Sequence, residues 1–353
     1  MVILHVIDIE NSNGNGVATA VSNYCKYLQK YENVAIYNLN AVITSDGVNN
    51  FEFSDYKTIS ELPTPYNKPD IVIFNEVYKP KYIKLYKECL FNKIPYVIIP
   101  HGCLNKKAQS SKWLKKKIGN LLLFNKFIKN AEAIQFLNEN EKNNSKFKYK
   151  KAIISGNGME KFLYKNEYKN KNIVYIGRYS VKVKGLDLLV AVCKKYKKWF
   201  VENDIKIQIY GLSTEKEEKK LKKLIINNNI ENVIIMNSAI FGNEKKNVLA
   251  NSYCFIQLSR HEGQPMGIIE PLSVGLPCIV TYGTTLGEYV NKNKCGIGVN
   301  FNVDDVFDAI RKLYENETMR NIFSENAIVI TQKIFNWDSI IKIAIKEYKE
   351  IIR

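Results

Sequence analysis

The stretch 259–281, S-R-H-E-G-Q-P-M-G-I-I-E-P-L-S-V-G-L-P-C-I-V-T, limits what this chain can fold into more than any other. The apolar run before it, 254–258, reads as a buried strand. Gly267-Ile-Ile-Glu-Pro-Leu-Ser-Val reads as a helix stopped by Gly275, and Cys278–Thr281 as a second strand. Strand, polar loop, helix and strand make one βαβ unit of a parallel sheet. Such sheets bind ligands at the carboxyl ends of their strands, beside helix N-termini. A helix opening at Gly267 aims free N–H groups at an anion, and its dipole adds to the attraction.

Two carboxylates bracket that helix start. Glu262 lies on the loop and Glu270 on the expected first turn. Direct contact between a carboxylate and a phosphate is repulsive, whereas a carboxylate accepts two hydroxyl groups at once. A ligand with phosphate at its centre and hydroxyl-bearing rings at both ends fits this pattern, which describes a nucleotide sugar. The plainer reading is a solvent-facing loop acid plus a Glu that stabilises the helix dipole.

The same punctuation recurs along the chain. Strand-like runs stand at Val2–Ile7, 34–37, 71–74, Tyr96–Ile99, 131–137, 172–176, 206–210, 233–236 and 296–300. Helical spacing covers 17–30, 215–227 and the tail 337–352. A Gly-bearing loop, 11–16, joins the first strand to the first helix. It lacks the third Gly of the dinucleotide fingerprint, so Gly16 marks either close approach to a ligand or a connector. His101 stands at a strand end between Pro100 and Gly102, where a ligand would lie. Gly177 and Arg178 follow another buried strand, and Lys184 precedes Gly185 a short loop later, with Lys182 as its competitor. An Arg and a Lys at a strand end can clamp a diphosphate. Asn138-x-x-Glu141 fits a capped helix start. The polar stretch 161–171 has no apolar period and reads as a linker.

Length and composition bound the rest. The chain has 353 residues, enough for two domains, and 46% hydrophobic residues, enough for real cores. No leader pattern is expected at Met1, and no apolar run approaches the roughly 20 residues of a membrane span. Seven scattered Cys, without C-x-x-C pairs, read as small hydrophobes in a reducing cytoplasm. The net charge of +17 suits an anionic membrane, a nucleic acid or a phosphorylated substrate, or reflects heavy Lys and Asn usage. Nucleic-acid binding needs cations clustered with aromatics on one face, and the cations here are spread over both halves. Residues 106–129 combine Lys112, Trp113 and Lys115 to Lys117 with apolar positions Leu114, Ile118, Leu121, Phe124 and Ile128. They suggest either contact with anionic lipid or a core-facing helix with a solvated Lys face.

The run from Ser259 through Glu262 to Gly263, followed by Glu270, resembles the E-x7-E signature of family-4 retaining glycosyltransferases. That resemblance implies an α/β fold of the GT-B type, two Rossmann-like domains with a cleft between them and a C-terminal helix crossing back. It places an acceptor domain at 1–165, a nucleotide-sugar domain at 166–332 and the returning helix at 333–353. It gives Glu270 the nucleotide ribose, Glu262 the donor sugar, and the backbone of Met266, Gly267 and Ile268 the diphosphate. Gly177-Arg178 and Lys184-Gly185 resemble the G-R…K-G motif, which implies that Arg178 and Lys184 hold the phosphates. Pro100-His101-Gly102 resembles the family's P-H-G segment, whose His reaches the donor sugar or its reaction centre. The 11–16 loop takes the place of the N-terminal glycine-rich loop. Gln264 departs from the aromatic that many members carry, and Ser238 and Ala239 depart from a Gly near the nucleobase.

The activity implied is hexosyl transfer with retention, independent of metal and without a cofactor. The expected donor is a nucleoside-diphosphate sugar, UDP-linked, and the expected acceptor a glycan or lipid-linked saccharide in capsule or other bacterial surface-polysaccharide assembly. The expected location is cytoplasmic, peripheral on the inner face of the plasma membrane. A GT-B relative such as a nucleotide-sugar epimerase or phosphorylase is the competing enzyme class, and a basic nucleic-acid-binding protein the weaker one.

Overall fold

The computed structural model describes residues 1–9, 16–40, 47–105, 119–159, 167–212, 214–260, 266–284 and 286–353. Two compact units divide the chain. One is Met1–Gly158 with Trp337–Arg353, and the other is Met159–Asn336. The sequence reading set these crossings at 165 and 332.

The first unit is built on strands β1 (Val2–Ile7), β2 (Asn33–Asn38), β3 (Asn49–Glu52), β4 (Ile71–Asn75), β5 (Tyr96–Ile99), β6 (Ala133–Phe136) and β7 (Ala152–Ile154). All pair in parallel, in the order β3-β2-β1-β4-β5-β6-β7. Runs such as VILHVI and IVIFN are apolar on both faces because both faces are covered. Val21, Tyr24 and Leu28 of helix Gly16–Leu28 pack on one face. Tyr82, Leu85 and Phe127 pack on the other.

The tail belongs to this unit. Trp337, Ile340, Ile341, Ala344, Ile345 and Tyr348 form the buried stripe of helix Trp337–Ile351. Its polar anchors are Tyr348, which donates to Gln135 Oε1, and Lys151, whose Nζ lies 2.7 Å from Glu347 and 2.8 Å from Glu350.

The second unit carries β8 (Ile173–Ile176), β9 (Ile207–Tyr210), β10 (Ile234–Asn237), β11 (Cys254–Gln257), β12 (Cys278–Thr281) and β13 (Gly296–Val299). They too are all parallel, ordered β10-β9-β8-β11-β12-β13. Leu189, Leu221 and Ile310 cover one face, while Ile268, Leu272 and Ala327 cover the other. In each sheet the strand order reverses once, at β1/β4 and at β8/β11. Crevices for ligands open beside such reversals, at the carboxyl ends of the strands.

Within 106–129, residues 106–118 lie outside the described residues. The remainder forms a π-helical turn, Asn120–Phe124, and helix Asn125–Asn130. Phe124 and Ile128 are buried in the first unit, so those positions of the apolar stripe serve the core. Among the described residues no helix is long and apolar enough to cross a membrane. Six of the seven Cys are buried, as small hydrophobes are.

Candidate functional site

The helix expected to open at Gly267 starts one residue earlier and runs Met266–Ser273. Its start abuts the strand-order reversal of the second sheet. A Cβ at Gly267 would sit 3.1 Å from Gln257 Oε1, at the end of β11, and 3.7 Å from the Ile176 carbonyl, at the end of β8. Met266 and Gly267 are half-buried and Ile268 is fully buried. Pro271 stands inside the helix and has no N–H to give the Gly267 carbonyl. The helix ends as the sequence predicts. Gly275 takes φ +79°, Leu276 N–H bonds Pro271 O at 3.0 Å and Gly275 N–H bonds Leu272 O at 3.0 Å, which is a Schellman stop.

The loop carrying the expected phosphate-binding cations leaves β8 alongside. Gly177 N–H donates to Tyr210 O at 2.9 Å, and the Tyr175 hydroxyl donates to Arg178 O at 2.9 Å. Tyr179, buried, donates its hydroxyl to Ile209 O at 2.9 Å and reaches Asn237 O. Val181 N–H donates to Glu217 at 2.8 Å. The Arg178 side chain is exposed and Lys184 is half-buried. Lys182, the competitor, lies 3.0 Å from Asp187 and is therefore committed to an ion pair.

Arg260 is likewise structural. Its guanidinium grips Asp187 with two bonds of 2.9 and 2.8 Å, donates to Lys182 O, and stacks 4.1 Å from the Phe301 ring. Burial alone would raise the Asp187 carboxyl, but the bonds from Arg260 and Lys182 outweigh it and hold it below the ordinary range. Arg260 N–H also donates to Val183 O at 3.0 Å. The loop after β11 is thereby fastened to the cation-bearing loop after β8. Gly185 completes the joint at φ +69°, with Leu258 O only 1.9 Å from where a Cβ would be.

Glu270 stands a full turn into the helix rather than on its first turn. Its carboxylate is paired with Lys245 of helix Gly242–Asn251. The sequence reading missed Lys245, which sits in the charged run N-E-K-K with no motif around it. Its effect is to neutralise the Glu270 carboxylate. His261, Glu262, Gly263 and Gln264 lie outside the described residues. Ser238 and Ala239 follow β10, where no glycine replaces them.

In the first unit, His101 sits just past β5 in the left-handed region, φ +48°, followed by Gly102 at +83°. Its Nε2 lies 3.1 Å from Asn75 Oδ1. Burial depresses its pKa to about 4, so the ring is neutral near pH 7. Glu141, fully buried, accepts Gly102 N–H at 2.5 Å and Leu137 N–H at 2.7 Å; burial raises its carboxyl despite those bonds. Asn138 caps the following helix through Glu141 N–H at 2.8 Å, as its spacing predicts. Neither Asn75 nor the backbone role of Glu141 was visible in the sequence. Gly16 opens its helix exposed, and among the described residues a Cβ there would meet nothing within 4 Å. Among the described residues no group of three His, Cys, Asp or Glu side chains is placed to hold a metal ion.

Residues 159–329 match the family model of the group 1 glycosyl transferases, which is nearly all of the second unit and just under half of the chain. The solved structures similar in fold include sucrose-phosphate synthase from Thermosynechococcus elongatus, at TM-score 0.78 and 14% identity, covering 99% of this chain and 98% of that one. Anabaena HepE in complex with UDP and glucose gives TM-score 0.76 and 13% identity, with 99% of each chain covered. A glycosyltransferase from Rickettsia africae gives 0.75 and 18%, covering 100% of this chain and 98% of that one. No curated protein matches the sequence. The architecture is that of a GT-B glycosyltransferase. The match over 159–329 and the fold together support a glycosyltransferase enzyme.

Proposed function

We propose that the protein moves a sugar from a UDP-linked donor to a hydroxyl of a glycan or lipid-linked saccharide, with retention at the anomeric carbon. One observation carries this reading. A Cβ at Gly267, in the first turn of helix Met266–Ser273, would come within 3.7 Å of Ile176 O at the end of β8, from which the G-R…K-G loop leaves, and Glu270 stands one turn further along the helix. Helix N–H groups, Arg178 and Lys184 take the diphosphate, and Glu270 takes the ribose hydroxyls. Glu262 orients the donor sugar, and His101 contacts it.

In the reaction the bond from the anomeric carbon to the diphosphate oxygen breaks, and its electron pair stays on that oxygen. The acceptor oxygen attacks on the same face and its proton passes to the departing phosphate. Charge grows on the diphosphate as this happens, and the cations and helix N–H groups stabilise it there without a divalent metal. Anabaena HepE, solved with UDP and glucose, supports a UDP donor. The galactosyltransferase WaaB of the lipopolysaccharide outer core, at TM-score 0.69 and 15% identity, supports a surface-glycan acceptor.

Incubation with UDP- and GDP-sugars and a saccharide acceptor, with and without a chelator, tests the reaction. A product of retained configuration, formed from the UDP-sugar in chelator, is expected. An inverted product, or activity lost to the chelator, contradicts it. The proposed location on the inner membrane face predicts flotation with anionic liposomes and none with neutral ones.

A further inference from the structure

We infer that Asn75 fixes the ring of His101 in its Nε2-protonated neutral form, leaving Nδ1 as the acceptor for a hydroxyl of the donor sugar. The inference rests on the proposed contact between His101 and that sugar, and it assigns the chemistry of the contact.

Asn75 ends β4 and is 1% exposed. Its Nδ2 lies 3.3 Å from the Val6 carbonyl and 3.5 Å from the Ile73 carbonyl. Carbonyl oxygens only accept, so the amide nitrogen must face them. The amide oxygen therefore faces His101 Nε2 at 3.1 Å, and an acceptor there requires a donor. The proton sits on Nε2, and Nδ1 keeps its lone pair. The same Nδ2 lies 3.4 Å from His5 Nδ1, a third contact for its two protons.

Burial keeps the His101 ring uncharged at neutral pH. A neutral ring with one free lone pair cannot bond a phosphate oxygen, which is itself an acceptor. It can accept from a sugar hydroxyl. The backbone is held independently. The left-handed turn at His101 and Gly102 costs on the order of 1 kcal/mol at a non-glycine residue, and the Glu141 bond to Gly102 N–H fixes it. Asn75 is then a positioning residue that acts through the ring, while Glu141 acts through the main chain.

The chain has three histidines, so ring nitrogen-15 spectra of the whole protein resolve each one, with His101→Gln as the assignment control. The wild-type protein at pH 7.5 is expected to show protonated Nε2 and bare Nδ1 at His101. Asn75→Ala is expected to give a tautomer mixture and to lower kcat/KM about tenfold, the scale of losing the partner that orients a functional histidine. A wild-type ring protonated on Nδ1, or on both nitrogens, overturns the inference without need of any variant. An unchanged tautomer in folded Asn75→Ala overturns it as well. Full turnover in His101→Gln refutes the sugar contact while the tautomer assignment stands, so the two failures are distinguishable.

Discussion

Gly185 and His5 show how single residues hold this fold. At Gly185 the left-handed backbone and the approach of Leu258 O to 1.9 Å of a would-be Cβ both exclude a side chain. Gly185→Ala is expected to cost about 2 kcal/mol or more and to lower Tm in calorimetry. His5 is wholly buried, its Nε2 has no hydrogen-bond partner among the described residues, and its pKa falls from 6.5 to about 3 through burial and the nearness of His101. Below pH 6.5 the unfolded chain takes up a proton that the native ring refuses. Stability is therefore full above pH 6.5 and falls as pH drops towards 3, by about 1.4 kcal/mol per pH unit. Urea unfolding at pH 7 and pH 5 measures this slope; buried His101 contributes in the same direction, so His5→Phe should lower the slope without abolishing it. The residues legible in the sequence were those with local spacing, such as the helix-stopping Gly275 and the capping Asn138. Arg260 was not legible as a structural group, because its partner Asp187 is 73 positions away. Lys245 and Asn75 were hidden for the same reason, since pairs made by tertiary packing leave no mark on neighbouring residues.

Elements with a single clear period were readable to within a residue or two. Helix Trp337–Ile351 has a continuous apolar stripe, and Gly16–Leu28 and Met266–Ser273 have similar ones. Strand β3 was not readable, because N-N-F-E carries no alternation and depends on pairing with β2. Helices Val303–Glu315 and Glu317–Ile334 were overlooked although their signals are local. Asn302 and Asn316 cap them, and Val306, Ile310 and Leu313 share one face. The tail helix carries its own prediction. The Tyr348 hydroxyl is buried, donates to Gln135 and lies 3.3 Å from the Tyr24 hydroxyl. Tyr348→Phe leaves both partners short of a bond and should cost about 1–2 kcal/mol, read as a lower urea midpoint. An unchanged midpoint would mean that the apolar stripe alone docks the helix.

For the whole molecule, two parallel sheets and the match of residues 159–329 to the group 1 glycosyl transferases agree with the enzyme class read from the sequence. The proposed function puts the signature where backbone and ligand meet, which accounts for its glycines, cations and acids at fixed spacing. Acceptor recognition has no such constraint, and the charge of +17 offers only a direction for it. The central claim concerns the second unit alone: helix start, cationic loop and Glu270 grip one nucleoside diphosphate. Calorimetric titration of UDP against the wild-type protein, Arg178→Ala, Glu270→Ala and Lys245→Met tests it most directly. Loss of about 3 kcal/mol, on the order of a hundredfold in Kd, is expected for each of the first two variants, and about tenfold for Lys245→Met, whose charge offsets Glu270 beside the phosphates. Wild-type affinity in both Arg178→Ala and Glu270→Ala would contradict the account.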